Sequence, residues 1–168
     1  MLALAAAPLA AACAERGSSD RSRATAEDLA ASFRLAVLAG DADAVAGLIL
    51  PEGFVCGETA WPKAQIVRSL RPGGGLYPAL FDTQELRRNV VAAGFEPSRK
   101  ALGIAAEEVL SYRDFFRKHP TARAVVNGNA KTAVVWWYRS EPFALPFLWP
   151  FGAMRLADGR WWISAIGC

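Results

Sequence analysis

Residues 122–138 read ARAVVNGNAKTAVVWWY, and their pattern decides the fold class. On either side of Asn127-Gly128-Asn129 the apolar residues recur with a period of two. Ala122 to Val126 predicts one strand. Lys131 to Tyr138, rich in β-branched and aromatic residues, predicts its partner. Asn-Gly between two such runs signals a hairpin, because both residues tolerate the positive φ of a tight turn. A second hairpin follows, with strands at Ala153 to Leu156 and Arg160 to Ile166 joined by Asp158-Gly159.

Upstream of Ala122 the period is that of a helix. Thr25-Ala26-Glu27-Asp28 is a start signal: Thr25 can cap the amide three residues on, and acids suit the first turn. Leu29, Phe33, Ala36 and Val37 then line one face, and Gly40 is a natural residue just past a helix end. Asp41 caps a second, short helix with Val45, Leu48 and Ile49 inward. Pro51-Glu52-Gly53 ends it, and Phe54-Val55-Cys56 reads as a short strand. Pro62 suits the first position of a third helix, whose face is Ile66, Val67 and Leu70.

Pro72-Gly73-Gly74-Gly75 stops that helix. The glycines follow a helix and so lack the strand-to-helix context of a phosphate loop; they read as a flexible connector. Leu76 to Phe81 is apolar and aromatic. Asp82 or Thr83 caps a helix running through Val91, which Gly94-Phe95-Glu96-Pro97 breaks. Ala105, Val109, Tyr112 and Phe116 form a further helical stripe, ending at His119-Pro120.

Helices first and an antiparallel sheet last predict an α+β domain over residues 25–168, with the N-terminal helices packed on one face of a curled sheet. At 168 residues the chain is the size of one domain. The helix pair around Gly40-Asp41 and the late strands ending in Arg160-Trp161-Trp162-Ile163 resemble NTF2-like domains of the cystatin-like group. The resemblance implies an N-terminal helix lying across a bent antiparallel sheet, with a cone mouth that holds a small molecule.

The hydrophobic fraction is 53%, above the usual ~45–50%, and part of the excess sits in residues 1–12. The run LALAAAPLAAA from Leu2 to Ala12 carries no charge. It is roughly half of the ~20 residues a membrane-spanning helix needs. That length fits the core of a secretory signal, and Ala10-Ala11-Ala12 supplies the small residues before a cleavage site. Leu9-Ala10-Ala11-Ala12-Cys13 resembles a bacterial lipobox, with alanine at position 10 where that pattern places leucine. The resemblance implies a lipid on Cys13, a membrane anchor, and a location in the periplasm or on the outer surface. The alternative is an ordinary secretory signal in which Cys13 is incidental. Residues 13–24 are small and polar and read as a flexible tether.

The chain has three cysteines. With Cys13 acylated, Cys56 and Cys168 remain as an even pair in an oxidising compartment. They are expected to form a disulfide contributing about 4–5 kcal/mol on the chain-entropy model. Two buried thiols are the alternative.

The net charge is +3, from 19 basic and 16 acidic residues. The signs are interspersed and no basic block appears, which argues against nucleic-acid binding. His119 is the only histidine. A helix-end role at Pro120 competes there with general-base chemistry. One histidine with scattered acids has no metal-ligand spacing, so neither a metal nor a cofactor is expected. Asp82 reads as a cap.

Aromatic residues are the most informative candidates. Strand alternation sends Trp136 and Tyr138 to one face and Trp137 to the other, and it splits Trp161 from Trp162. One face belongs to the core; the other faces a ligand, a partner, or the loop 141–151 folded over it. That loop sets Phe147, Trp149 and Phe151 among prolines. Trp137, Trp162, Phe147, Trp149 and Phe151 are therefore the binding candidates. Three functions follow: an envelope lipoprotein whose aromatic face or cone binds a small apolar molecule or envelope component without chemistry; a protein-binding inhibitor or assembly factor using loop 141–151; or a small enzyme with His119 or Asp82 in a pocket.

Overall fold

The computed structural model describes residues 23–56, 58–101, 103–139 and 151–166, with backbone alone at 55–56 and 151–153. Cys13, Cys168, Phe147 and Trp149 lie outside the described residues, as do the side chains of Cys56 and Phe151. The signal, lipidation, disulfide and loop expectations therefore fall outside them too.

Helix α1 (Ala26–Ala39) starts with a reciprocal cap. Thr25 Oγ1 accepts from Asp28 N at 3.0 Å, and Asp28 Oδ2 accepts from Thr25 N at 3.1 Å. These bonds satisfy two amides that a bare helix end would leave open. Leu29, Phe33, Ala36 and Val37 are buried, as the helical spacing requires, and Gly40 closes the helix. Asp41 caps α2 (Ala42–Gly47) by accepting from Ala44 N at 2.8 Å. A small hairpin follows, β1 (Phe54–Cys56) with β2 (Thr59–Trp61). Then come α3 (Lys63–Ser69), α4 (Tyr77–Phe81), α5 (Thr83–Ala92), α6 (Glu96–Ala101), a 3₁₀ turn (Ala106–Glu108) and α7 (Tyr112–Lys118).

The main sheet is an open antiparallel meander in the order β3-β4-β5-β6, formed by Arg123–Gly128, Thr132–Tyr138, Phe151–Ala157 and Arg160–Ile163. The register shifts between Val134, opposite Ala153, and Val135, opposite Phe151. Such a bulge bends the strand and increases its twist. The Asp158-Gly159 turn takes positive φ at both residues, 51° and 70°, the conformation that suits a two-residue hairpin.

Helix α1 touches both β3 and β6, the two edge strands, so it crosses the whole sheet. Arg34 on α1 donates to the carbonyls of Pro120 and Ala122 just before β3. The free edge of β6 is covered: Ile163 N donates to Leu48 O and Leu50 N donates to Ile163 O, both at 2.9 Å, while Trp161 N donates to Arg23 O at 3.0 Å. The core lies between α1, α7 and the inner sheet face, which carries Ala133, Val135, Trp137, Met154, Trp161 and Ile163. Phe33 meets Tyr112 edge-on at 5.6 Å. The protein is thus an α+β domain with helices on one face of an antiparallel sheet.

Several local expectations are corrected. The stripe from Ala105 to Phe116 is not one helix, because two start signals interrupt it. Glu108 turns back to accept from Ala105 N at 3.2 Å, Val109 is extended, and Ser111 caps a new helix through Asp114 N at 3.3 Å. The first hairpin turns later than Asn127-Gly128. β3 continues through Gly128, and Asn129 Oδ1 organises the reversal by accepting from the amides of Lys131 and Thr132 at 2.8 and 2.9 Å. Gly128 is needed there because a Cβ would lie 2.2 Å from Thr132 O and 2.5 Å from Ala133 Cα.

Strand β2 was not expected. Pro62 stands one residue before α3 and makes no side-chain bond to it. The triple glycine is a built turn and no loose connector: a Cβ on Gly74 would lie 2.5 Å from Ser69 O, and Leu76 N returns to that oxygen at 3.1 Å. The helix through Val91 ends before Gly94 as expected, but a short helix, α6, that was not expected starts at Glu96 and runs through Pro97.

Candidate functional site

Where α1 begins, the helix and the sheet leave a cavity of about 310 Å³. Its walls come from three places. Ala24 to Glu27 supply the start of α1; Val126, Gly128, Asn129 and Ala133 supply the tip of the β3–β4 hairpin; Trp161 supplies the head of β6. The local sequence explains the space. Gly128 and Ala133 face each other across the hairpin, so two small residues stand where larger ones would fill the end of the core. Trp161, only 9% exposed, forms an aromatic wall, and Glu27 and Asn129 give the exposed rim polar groups. The space is open to solvent and its lining is polar and apolar in about equal part, so it suits a small amphipathic molecule.

The structure separates the two tryptophans nominated together from the sequence. Trp137 is 3% exposed and packs edge-on against Phe116 at 4.7 Å and 70°. It is a core residue, away from this cavity. Trp162 lies on the outer face, half-buried, with its Nε1 donating to Ala157 O at 3.2 Å. Two cations sit on its ring: the Arg23 guanidinium carbon lies 4.2 Å and the Lys63 ammonium 5.8 Å from the ring centroid. Arg23 also donates to Gly47 O at 3.3 Å and Lys63 to Ile49 O at 2.9 Å. Burial first, and then the Arg23 cation, hold the Lys63 ammonium below its usual range.

Asp82 is the cap of α5, with Oδ1 accepting from Gln84 N and Glu85 N at 3.0 Å each. His119 ends α7, its ring 5.1 Å from that of Phe115. Neither lines the cavity. Burial, followed by the nearby cations Arg139 and Lys118, pushes the His119 imidazole below its usual value. The unfolded chain therefore takes up this proton at higher pH than the folded one. Stability is fully present above the unfolded value and falls as pH drops from there through the folded value. His119→Phe should flatten that part of a pH-stability curve measured by urea unfolding. An unchanged slope would mean that His119 is not its source.

Among the described residues, no group of three or more His, Cys, Asp or Glu could hold a metal ion, and no helix is long and apolar enough to cross a membrane.

No protein-family model, curated protein or solved structure matches the chain. The site therefore stands on its geometry. The cavity residue that sequence reasoning overlooked is Trp161. The available signal was alternation: Trp161 and Ile163 share a face, and Ile163 is inward. The small pair Gly128 and Ala133 gave no signal until the hairpin register was known.

Proposed function

We propose that the protein is an exported, lipid-anchored envelope domain of NTF2-like form that binds a small molecule or envelope component without transforming it. The cavity at the head of α1 carries this reading. Its volume of about 310 Å³ stands at the lower end of the ~300–1,000 Å³ range of ligand pockets. The crossing of α1 over the sheet from β6 to β3 supports that form. The apolar run before Cys13 supports export and anchoring. A binding role also fits the engagement of Asp28, Asp41 and Asp82 as helix caps.

Native mass spectrometry of the protein purified from its own host's membranes tests the proposal. The expected result is acyl mass on Cys13 plus a non-covalent adduct of a few hundred daltons. Val126→Phe, which narrows the cavity from its half-exposed wall, should remove the adduct and leave the acyl mass. An adduct that persists in Val126→Phe would place the ligand elsewhere. A mass with no adduct in either form would overturn the binding role.

A further inference from the structure

The main sheet has two edges, and the chain covers only one of them. In an antiparallel ladder, alternate residues turn both backbone groups to the same neighbour. Asn129 N donates to Thr132 O at 2.8 Å, and the register sets those two residues opposite each other. Counting back by twos, Asn127, Val125 and Arg123 bond to β4. Ala124, Val126 and Gly128 therefore turn their N–H and C=O groups away from the sheet. On β6 the outward residues are Trp161 and Ile163. Their amides donate to Arg23 O and Leu48 O, and Ile163 O accepts from Leu50 N. Among the described residues, nothing bonds to the outward groups of Ala124, Val126 or Gly128.

The open stretch has definite ends. The next outward residue back, Ala122, is satisfied: its N–H donates to His119 O at 3.0 Å and its carbonyl accepts from Arg34 at 2.8 Å. Beyond Gly128 the chain turns at Asn129. Proteins blunt an exposed edge with lysine, proline or a bulge. Ala124 to Gly128 reads AVVNG, with neither residue, and the register shift of the sheet lies between β4 and β5.

Symmetry and charge identify the occupant. Three outward residues centred on Val126 match a second copy of themselves, antiparallel about a two-fold axis. Val126 meets the partner's Val126, and Ala124 meets the partner's Gly128. Each pair exchanges two bonds, about six in all, and no group of the stretch is left over. Arg123 is the only charged residue of β3. In this register it faces the partner's Asn129. The two arginines then stand roughly 20 Å apart along the strands, beyond the ~8 Å reach of charge at physiological salt. Because β6 is covered, the pairing closes at two copies and no filament grows.

We propose that β3 is a dimerisation edge, where two copies join their four-stranded sheets into one continuous sheet. This contact goes beyond the cavity and needs neither the bound molecule nor the anchor.

The full chain carrying Cys13→Ser keeps an acyl group out of the measurement. Sedimentation equilibrium should find one chain at low concentration and two at high concentration. Ala124→Pro removes an outward N–H and no bond within the sheet, a change that an edge strand tolerates. It should leave the circular dichroism spectrum unchanged and weaken the dimer at least about thirtyfold, the effect of stranding one carbonyl in each copy. Hydrogen exchange reads the same edge without a substitution there, and it decides alone if Ala124→Pro does not fold. The amides of Ala124, Val126 and Gly128 should slow as the protein is concentrated, while those of Val125 and Asn127 are slow throughout. A single-chain mass at every concentration, or an equally tight dimer in folded Ala124→Pro, would overturn the proposal. So would outward amides that stay fast in the dimer, which would place the contact elsewhere. Outward amides that stay slow at every dilution would also overturn it, by assigning the edge to another part of the same chain.

Discussion

Replacing Trp137 by alanine should destabilise the domain by about 3–5 kcal/mol, the usual cost of emptying a buried aromatic site. The indole is 3% exposed and fills the space between β4 and α7, where it meets Phe116 at 4.7 Å. Removing it strips the contact between the sheet and the helix that carries Tyr112, Phe115 and Phe116, all of them buried. For a domain of this length each kcal/mol is worth about 2–4 °C, so the melting temperature should fall by roughly 6–20 °C. Trp137→Phe should recover much of the loss. It keeps an aromatic ring, and it removes a buried Nε1 that finds no acceptor among the described residues. Thermal unfolding followed by circular dichroism reads both. A drop below about 1 kcal/mol in Trp137→Ala would mean that the site collapses around the missing ring, as well-relaxed cores can. The same result bears on how binding is tested: a loss of ligand in Trp137→Ala would report unfolding as much as recognition.

How far the sequence reached can be judged from particular elements. The caps were legible because each is a local event: Thr25, Asp41 and Asp82 bond to amides two or three residues away. The two hairpins of the main sheet were legible because alternation with a period of two and Asp-Gly or Asn-Gly turns are short-range signals. Register was not. Asn127-Gly128 met the turn rule, yet Asn129 supplies two side-chain bonds to the amides of Lys131 and Thr132 and moves the reversal later. The break at Val109 was invisible as well. The spacing of Ala105, Val109, Tyr112 and Phe116 satisfies one helix and masked the local caps at Glu108 and Ser111, and the contact of Ser111 with Thr83, far away in sequence, adds a hold on the second of them. The cavity depended on the same non-local information. Gly128, Ala133 and Trp161 come together through strand pairing and the crossing of α1, and no window of sequence contains all three.

That non-local contact is the second place where a small change should have a large effect. Thr83 Oγ1 accepts from Ser111 N at 2.9 Å and donates to Asp114 Oδ2 at 2.6 Å, with Ser111 Oγ 3.1 Å away. Ser111 is completely buried. One hydroxyl therefore joins the first residue of α5 to the cap and first turn of α7. Thr83→Val keeps the shape and removes the hydroxyl, leaving a buried amide and a carboxylate oxygen without that partner. Stranding the buried Ser111 amide costs about 1–3 kcal/mol, while the Asp114 carboxylate, 37% exposed, can turn to water, so a loss of about 2 kcal/mol is expected. It should appear as a lower urea midpoint with an unchanged slope. Asp114→Asn on top of Thr83→Val should cost less than the sum of the two single changes, because both disrupt one network. Strict additivity would show that Thr83 and Asp114 act separately. Sub-additivity would show that the break in the helical stripe is fixed by this hydroxyl. Its placement of α7 is also what brings Phe116 over Trp137, so the two changes with the largest expected effects act on opposite sides of the same helix.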